Sequence, residues 1–185
     1  MKTEKEKMLA GELYDPLDQQ LRDERRRARL IFKALNDTRD DQDEERRRLI
    51  KELIPSAGPD TWIEPPFYCD YGSNILLAGK VFINFNCVIL DVAPVRIGAG
   101  VLIGPAVQIY AATHPLTVAE RRAGVEFGRS IEIGDDAWIG GGAILSPGVR
   151  IGKGSIIGTG SVVTRNIPEG VVAAGNPCLV LRQLD

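Results

Sequence analysis

Residues 131–163 read IEIGDDAWIGGGAILSPGVRIGKGSIIGTGSVV, and this stretch decides the fold. Aliphatic residues stand at Ile133, Ile139, Leu145, Ile151, Ile157 and Val163, one at every sixth position. Glycine follows at 134, 140, 152 and 158. A helix repeats every 3.6 residues and a strand every 2, so neither accounts for a period of six. A hexapeptide period predicts a β-helix in which each rung is a short strand and a tight corner. The aliphatic residue points to the axis, and glycine gives the corner backbone angles closed to other residues.

The same clock runs upstream. It falls at Leu77, Ile83 and Ile89, skips two residues at Ala93-Pro94, and resumes at Ile97, Ile103 and Ile109. Three rungs make one triangular coil, so residues 75–92, 95–112, 131–148 and 149–166 each predict one coil. Stacking at about 4.8 Å lines up the axial residues into ladders. Such a solenoid needs capped ends, for which the helical N-terminus and the tail after Asn166 are expected. Gly98-Ala99-Gly100 and Gly152-Lys153-Gly154-Ser155 resemble pieces of phosphate loops. They complete no nucleotide motif and read as rung corners.

Residues 113–130 break the period, because it would put Pro115, Arg121 and Phe127 on the axis. They read as a loop extruded between the second and third coils, and long loops in compact domains are often functional.

Residues 1–56 follow different rules. They hold 28 of the 48 charged residues but one of the 20 glycines, Gly11. Met8, Leu9 and Leu13 predict a short apolar helix face. Leu21, Ala28, Leu30, Ile31, Ala34 and Leu35 predict a second, after a break at Asp15-Pro16. Leu49, Ile50, Leu53 and Ile54 predict a third. The runs Arg25-Arg26-Arg27 and Arg46-Arg47-Arg48 read as solvated helix faces balanced by nearby acids. The expected organisation is a helical segment, 1–56, and a β-helix, 57–185, with its extruded loop and C-terminal cap.

The 185 residues carry a formal net charge of −2, which argues against binding nucleic acid by phosphate neutralisation. No apolar run reaches the roughly 18–20 residues of a membrane span, and the charged N-terminus lacks a signal peptide's apolar stretch. Cys69, Cys87 and Cys178 are too few and too scattered for a disulfide framework or a zinc site, which fits a reducing cytoplasm. His114 is the one histidine, so no multi-histidine metal site is expected. It lies in Thr113-His114-Pro115, at the root of the loop, and a near-neutral imidazole is the default general base. No nucleophile elbow accompanies it, so direct transfer is favoured over an acyl-enzyme. Trp138 precedes an axial residue and is expected to face outward, either as simple packing or in a ligand or subunit groove.

These residues resemble the maltose/galactoside O-acetyltransferase family of hexapeptide-repeat acyltransferases. The resemblance rests on the hexapeptide ladder, Thr113-His114-Pro115, Trp138-Ile139-Gly140-Gly141 and Gly175-Asn176-Pro177. Met8–Tyr14, Cys69-Asp70-Tyr71-Gly72 and Asn84-Phe85-Asn86 add to it. It implies a left-handed parallel β-helix and a homotrimer with active sites between subunits. It implies acetyl-CoA as co-substrate, no metal, and a sugar acceptor such as maltose or glucose. His114 would be the general base, with Asn84 holding the acceptor or the oxyanion beside the Gly141 N–H. Asp15, Asp70 and Glu126 would contact the acceptor. Trp138, Gly141, Thr159, Thr164, Arg165 and Arg182 would contact coenzyme A. The galactoside enzymes carry an acid where this chain has Val92. The alternatives are an acetyltransferase of the same fold acting on an antibiotic or serine hydroxyl, or a non-catalytic β-helical assembly subunit.

Overall fold

The computed structural model of the protein describes residues 1–184. From Trp62 onward the chain winds as a parallel β-helix whose short strands stack into three faces. The first face stacks Trp62–Ile63, Val81–Ile83, Val101–Ile103, Trp138–Ile139, Ile156–Ile157 and Val171–Ala174. Leu179–Gln183 joins its last strand antiparallel. The second stacks Phe67–Cys69, Cys87–Leu90, Gln108–Tyr110, Ile144–Leu145 and Val162–Val163. The third stacks Ile75–Leu77, Val95–Ile97, Ile131–Ile133 and Arg150–Ile151.

All twelve expected axial residues are buried. Strand register joins them into ladders, as in Ile83–Ile103–Ile139–Ile157 on the first face. Removing each such side chain from water contributes roughly 1.5–3 kcal/mol. The ladders are longer than the expected period. Ile63 and Cys69 sit below Ile83 and Ile89, while Ile167 and Ala173 continue above Ile151 and Ile157. The early rungs escape a six-residue search for two reasons. Leu77 follows Cys69 by eight positions instead of six, and a thiol stands at an axial position.

The glycines after the axial residues act differently from expectation. Gly140 is needed for close approach, since a Cβ there would lie 2.6 Å from the Ile157 carbonyl oxygen of the next coil. The left-handed backbone falls two residues later, as at Gly142 (φ +70°). Asn86 and Asp136, with φ of 60° and 57°, occupy the equivalent corner, because short polar side chains tolerate that region.

Three helices precede the coils: α1 (Glu4–Leu9), α2 (Gln19–Asn36) and α3 (Asp43–Leu53). Thr3 and Asp18 cap the first two by accepting from the N–H groups of Glu6 and Leu21. Leu21, Ala28, Ile31 and Leu35 are buried on α2, whereas Leu30 is exposed, so the stripe is narrower than expected. The buried residues from Ala28 to Ile54 share one apolar core with the axial ladders. Met8, Tyr14 and Leu21 form a second cluster with Tyr71 and Val92.

The arginine runs are only partly solvated. Arg46 is buried, bonds to the Thr38 hydroxyl and Glu64, and lies over the Trp62 ring. Arg48 is exposed between Glu45 and Glu52. The chain leaves the helix at residue 113 and returns at 130. Ala112–Thr113 pairs antiparallel with Phe127–Gly128, and α4 (Val118–Arg122) lies between them, capped by Thr117.

Candidate active site

His114 follows the strand Ala112–Thr113, at the corner between the second and third faces. Pro115 is buried, so the loop root is anchored while the imidazole is exposed. Beside it opens a cleft of about 360 Å³. Its wall on the β-helix descends one corner of the solenoid, from Ala112 and His114 through Leu90 and Val92 to Asp70. Consecutive coils are about 4.8 Å apart, so two coils separate Asp70 from His114 along the axis by about 10 Å. The N-terminal segment supplies the opposite wall through Tyr14, Pro16, Leu17, Arg25 and Arg29, and the loop supplies Glu126.

Tyr14 ties the two walls together. Its backbone N–H donates to the Glu126 carbonyl (3.0 Å) and its carbonyl accepts from the Glu126 N–H (3.1 Å). Its hydroxyl donates to the Glu126 carboxylate (3.0 Å). Burial first, and then the Glu126 charge, push the Tyr14 phenol above its ordinary range. Arg25 donates to the Tyr71 hydroxyl (2.7 Å) and to the Pro16 carbonyl. Burial pushes the Tyr71 phenol up to about 12, against the pull of Arg25. The Asp70 carboxyl is also raised, chiefly by burial, with Glu126 adding to the effect and Arg25 and Arg29 opposing it. Two acids, two guanidinium groups and the apolar side chains of Leu90, Val92 and Ala112 thus line one cleft. Such a site can hydrogen-bond a polyhydroxylated molecule and pack its carbon face.

The expected site residues divide between two corners. His114, Asp70 and Glu126 share the cleft. Thr164 and Arg165 lie exposed on the same corner, two coils above His114. Asn84 and Gly141 lie at the corner between the first and second faces, with Thr159. Asn84 there accepts from the Phe85 N–H (2.8 Å). Trp138 faces outward from the first face, half exposed, and Arg182 lies exposed on the strand that extends that face. One chain therefore does not bring Asn84 or Gly141 to His114. Asp15 is not a wall of the cleft. Its side chain accepts from the Leu17 N–H (2.8 Å) and its N–H donates to Glu4 (2.7 Å), which shapes the turn before α2.

Sequence reading gave no cleft role to Tyr14, Arg25 or Arg29, and Arg25 is not the solvated side chain expected, since it bonds to the Tyr71 hydroxyl and the Pro16 carbonyl. Leu21, Arg25 and Arg29 are four apart and share one helix face, and that was the available signal.

Comparison with known proteins identifies the family. The family model "maltose acetyltransferase hexapeptide capping motif" matches residues 7–58, and "bacterial transferase hexapeptide (six repeats)" matches residues 130–165. Nodulation protein L of Rhizobium meliloti (strain 1021) is 48% identical over 179 residues, 97% of this chain and 98% of that protein. The crystal structure of a maltose O-acetyltransferase from Clostridium difficile 630 is 42% identical with a TM-score of 0.98, covering 100% of this chain and 98% of that one. A galactoside acetyltransferase solved in complex with coenzyme A is 38% identical with a TM-score of 0.96, covering 100% and 92%. The stacked hexapeptide coils, the helical cap and these matches together place the chain in the maltose/galactoside O-acetyltransferase family of hexapeptide-repeat acetyltransferases.

Proposed function

We propose that this chain is a sugar O-acetyltransferase that moves the acetyl group of acetyl-CoA to a hydroxyl of a sugar such as maltose or glucose. The observation that carries the reading is the one histidine of the chain at the rim of a polar cleft about 360 Å³ in volume. That volume is enough for one or two sugar rings. His114 takes the proton from the acceptor hydroxyl as its oxygen attacks the thioester carbonyl carbon. The tetrahedral oxyanion is held by preorganised donors, the Gly141 N–H and Asn84. Its collapse breaks the carbon–sulfur bond, and the coenzyme A thiolate takes the proton from the imidazolium. Asp70 and Glu126 accept hydrogen bonds from the other sugar hydroxyls. Asp15 shapes the rim. Trp138, Thr159, Thr164, Arg165 and Arg182 line the coenzyme groove, where the arginines face phosphates.

Because His114 and Gly141 stand on different corners, the site is completed by a second copy, and a homotrimer places one such site at each boundary. Two features support this reading. The outward rows of the first face (Phe82, Leu102, Trp138, Ile156) and second face (Tyr68, Val88, Gln108, Ile144, Val162) are apolar apart from Gln108. The third face presents the charged row Arg96, Glu132, Arg150. An acceptor panel of glucose, maltose, galactosides and simple alcohols, with acetyl-CoA and a thiol reagent, tests the function. Thiol release with sugars and none with simple alcohols is expected. Release independent of any acceptor, or only with non-sugar hydroxyls, refutes it.

A further inference from the structure

Asp91 is a fully buried carboxylate that lies behind the cleft without lining it. It follows the strand Cys87–Leu90, one coil above the turn that leads from Asp70 to Asn74. One carboxylate oxygen, Oδ1, accepts from the backbone N–H of Asp70 (3.0 Å) and of Tyr71 (2.9 Å). The other, Oδ2, accepts from the N–H of Asn74 (3.2 Å), while the Asp91 carbonyl accepts from the Asn74 side-chain amide (2.7 Å). Asp70 is a wall of the cleft, and Tyr71 receives Arg25, another wall.

We propose that Asp91 is a positioning residue for the acceptor site, its carboxylate holding the Asp70–Asn74 turn by three backbone N–H groups and so setting where Asp70 and Arg25 meet the acceptor. The proposal rests on the reading of the cleft as the acceptor site. The ionised form accepts all three bonds at full strength, each of them charge-assisted. Protonation makes one oxygen a donor, and every partner in the turn is already an N–H. Burial pushes the Asp91 carboxyl up to about 6 and the neighbouring Asp70 charge adds to this, so the change falls in an accessible pH range. The other titratable groups facing it are Cys69 and Tyr71, and Arg25 reaches the same turn through the Tyr71 hydroxyl.

The test compares wild type with Asp91→Asn between about pH 5 and pH 8. It measures KM for the sugar, KM for acetyl-CoA and kcat, together with amide exchange over residues 67–75 corrected for intrinsic rates. The expected result is an acceptor KM raised about tenfold at pH 7, with kcat and the acetyl-CoA KM within about twofold. Below about pH 6 the wild-type acceptor KM climbs more steeply than the variant's, whose remaining pH dependence is that of Asp70. For openings that release the turn while Asp91 stays buried, turn protection falls there in wild type and is flat in the variant. Wild-type acceptor KM and wild-type protection in the variant overturn the proposal. If the variant does not fold, the wild-type series decides, and protection unchanged across pH 6 overturns it. If no sugar is acetylated, the functional reading fails by itself. The exchange data then still decide whether Asp91 holds the turn.

Discussion

Replacing His114 by alanine removes the one imidazole of the chain from an exposed position, where its loss disturbs no packed neighbour. Turnover is expected to fall by about 10²–10⁴ while thermal stability and assembly size stay as in wild type. Near-wild-type turnover ends the mechanism. Asp91 makes the opposite kind of residue, buried and costly. Its ordinary value of 3.8 rises to about 6 in the fold, so between those pH values the native chain keeps a proton that the unfolded chain has released. Its contribution to stability is present below about pH 4 and lost as pH rises through about 6, a swing of about 3 kcal/mol. Denaturant unfolding of wild type and Asp91→Asn at both ends of this window checks it. The difference between the two proteins shifts against the wild type as pH rises. At pH 7 the fold carries this buried charge beneath its cleft.

The coil is the element on which the fold depends, and its corners set the tolerance for substitution. Gly140→Ala puts a Cβ 2.6 Å from the Ile157 carbonyl oxygen and 2.7 Å from the Thr159 nitrogen. Backbone cannot yield as a flexible side chain can, so a loss of about 1–3 kcal/mol or more is expected. Gly154→Ala is the contrast. Its φ is +65° with no neighbour within 4 Å, so only left-handed strain of about 1–2 kcal/mol applies. Unfolding of the two variants side by side tests whether close approach or backbone angle is the stricter demand. A larger loss in Gly154→Ala refutes this ordering. The helical elements were legible where periodicity alone governed them, as at Leu21, Ala28, Ile31 and Leu35. Arg46 was not, because a charged residue is buried only when tertiary structure brings Glu64 and the Trp62 ring to it.

At the scale of the whole molecule, the separation of His114 from Asn84 and Gly141 on different corners makes a prediction about mixing. His114→Ala and Asn84→Ala proteins are each expected to be poorly active. Refolded together in equal amounts, the two proteins would in the proposed trimer pair an intact His114 with an intact Asn84 at about a quarter of the boundaries. Recovery of about a quarter of wild-type activity is the expected outcome. A mixture no more active than its parts places both residues in one chain's site and removes the shared-site reading.

The linear sequence determined the solenoid from Leu77 to Val163, because a period of six leaves a three-sided coil as its simplest physical solution. It also singled out the lone histidine where the period breaks. It did not reveal the two early rungs, where Cys69 and a two-residue slip hide the clock. Only the tertiary structure decided what surrounds His114. Arg25, Asp70, Val92 and Glu126 come from four separate parts of the chain. Their meeting is produced by stacking, which puts residues about one coil apart in space when they are about twenty apart in sequence, and by the Tyr14–Glu126 tie that folds the loop back on the cap.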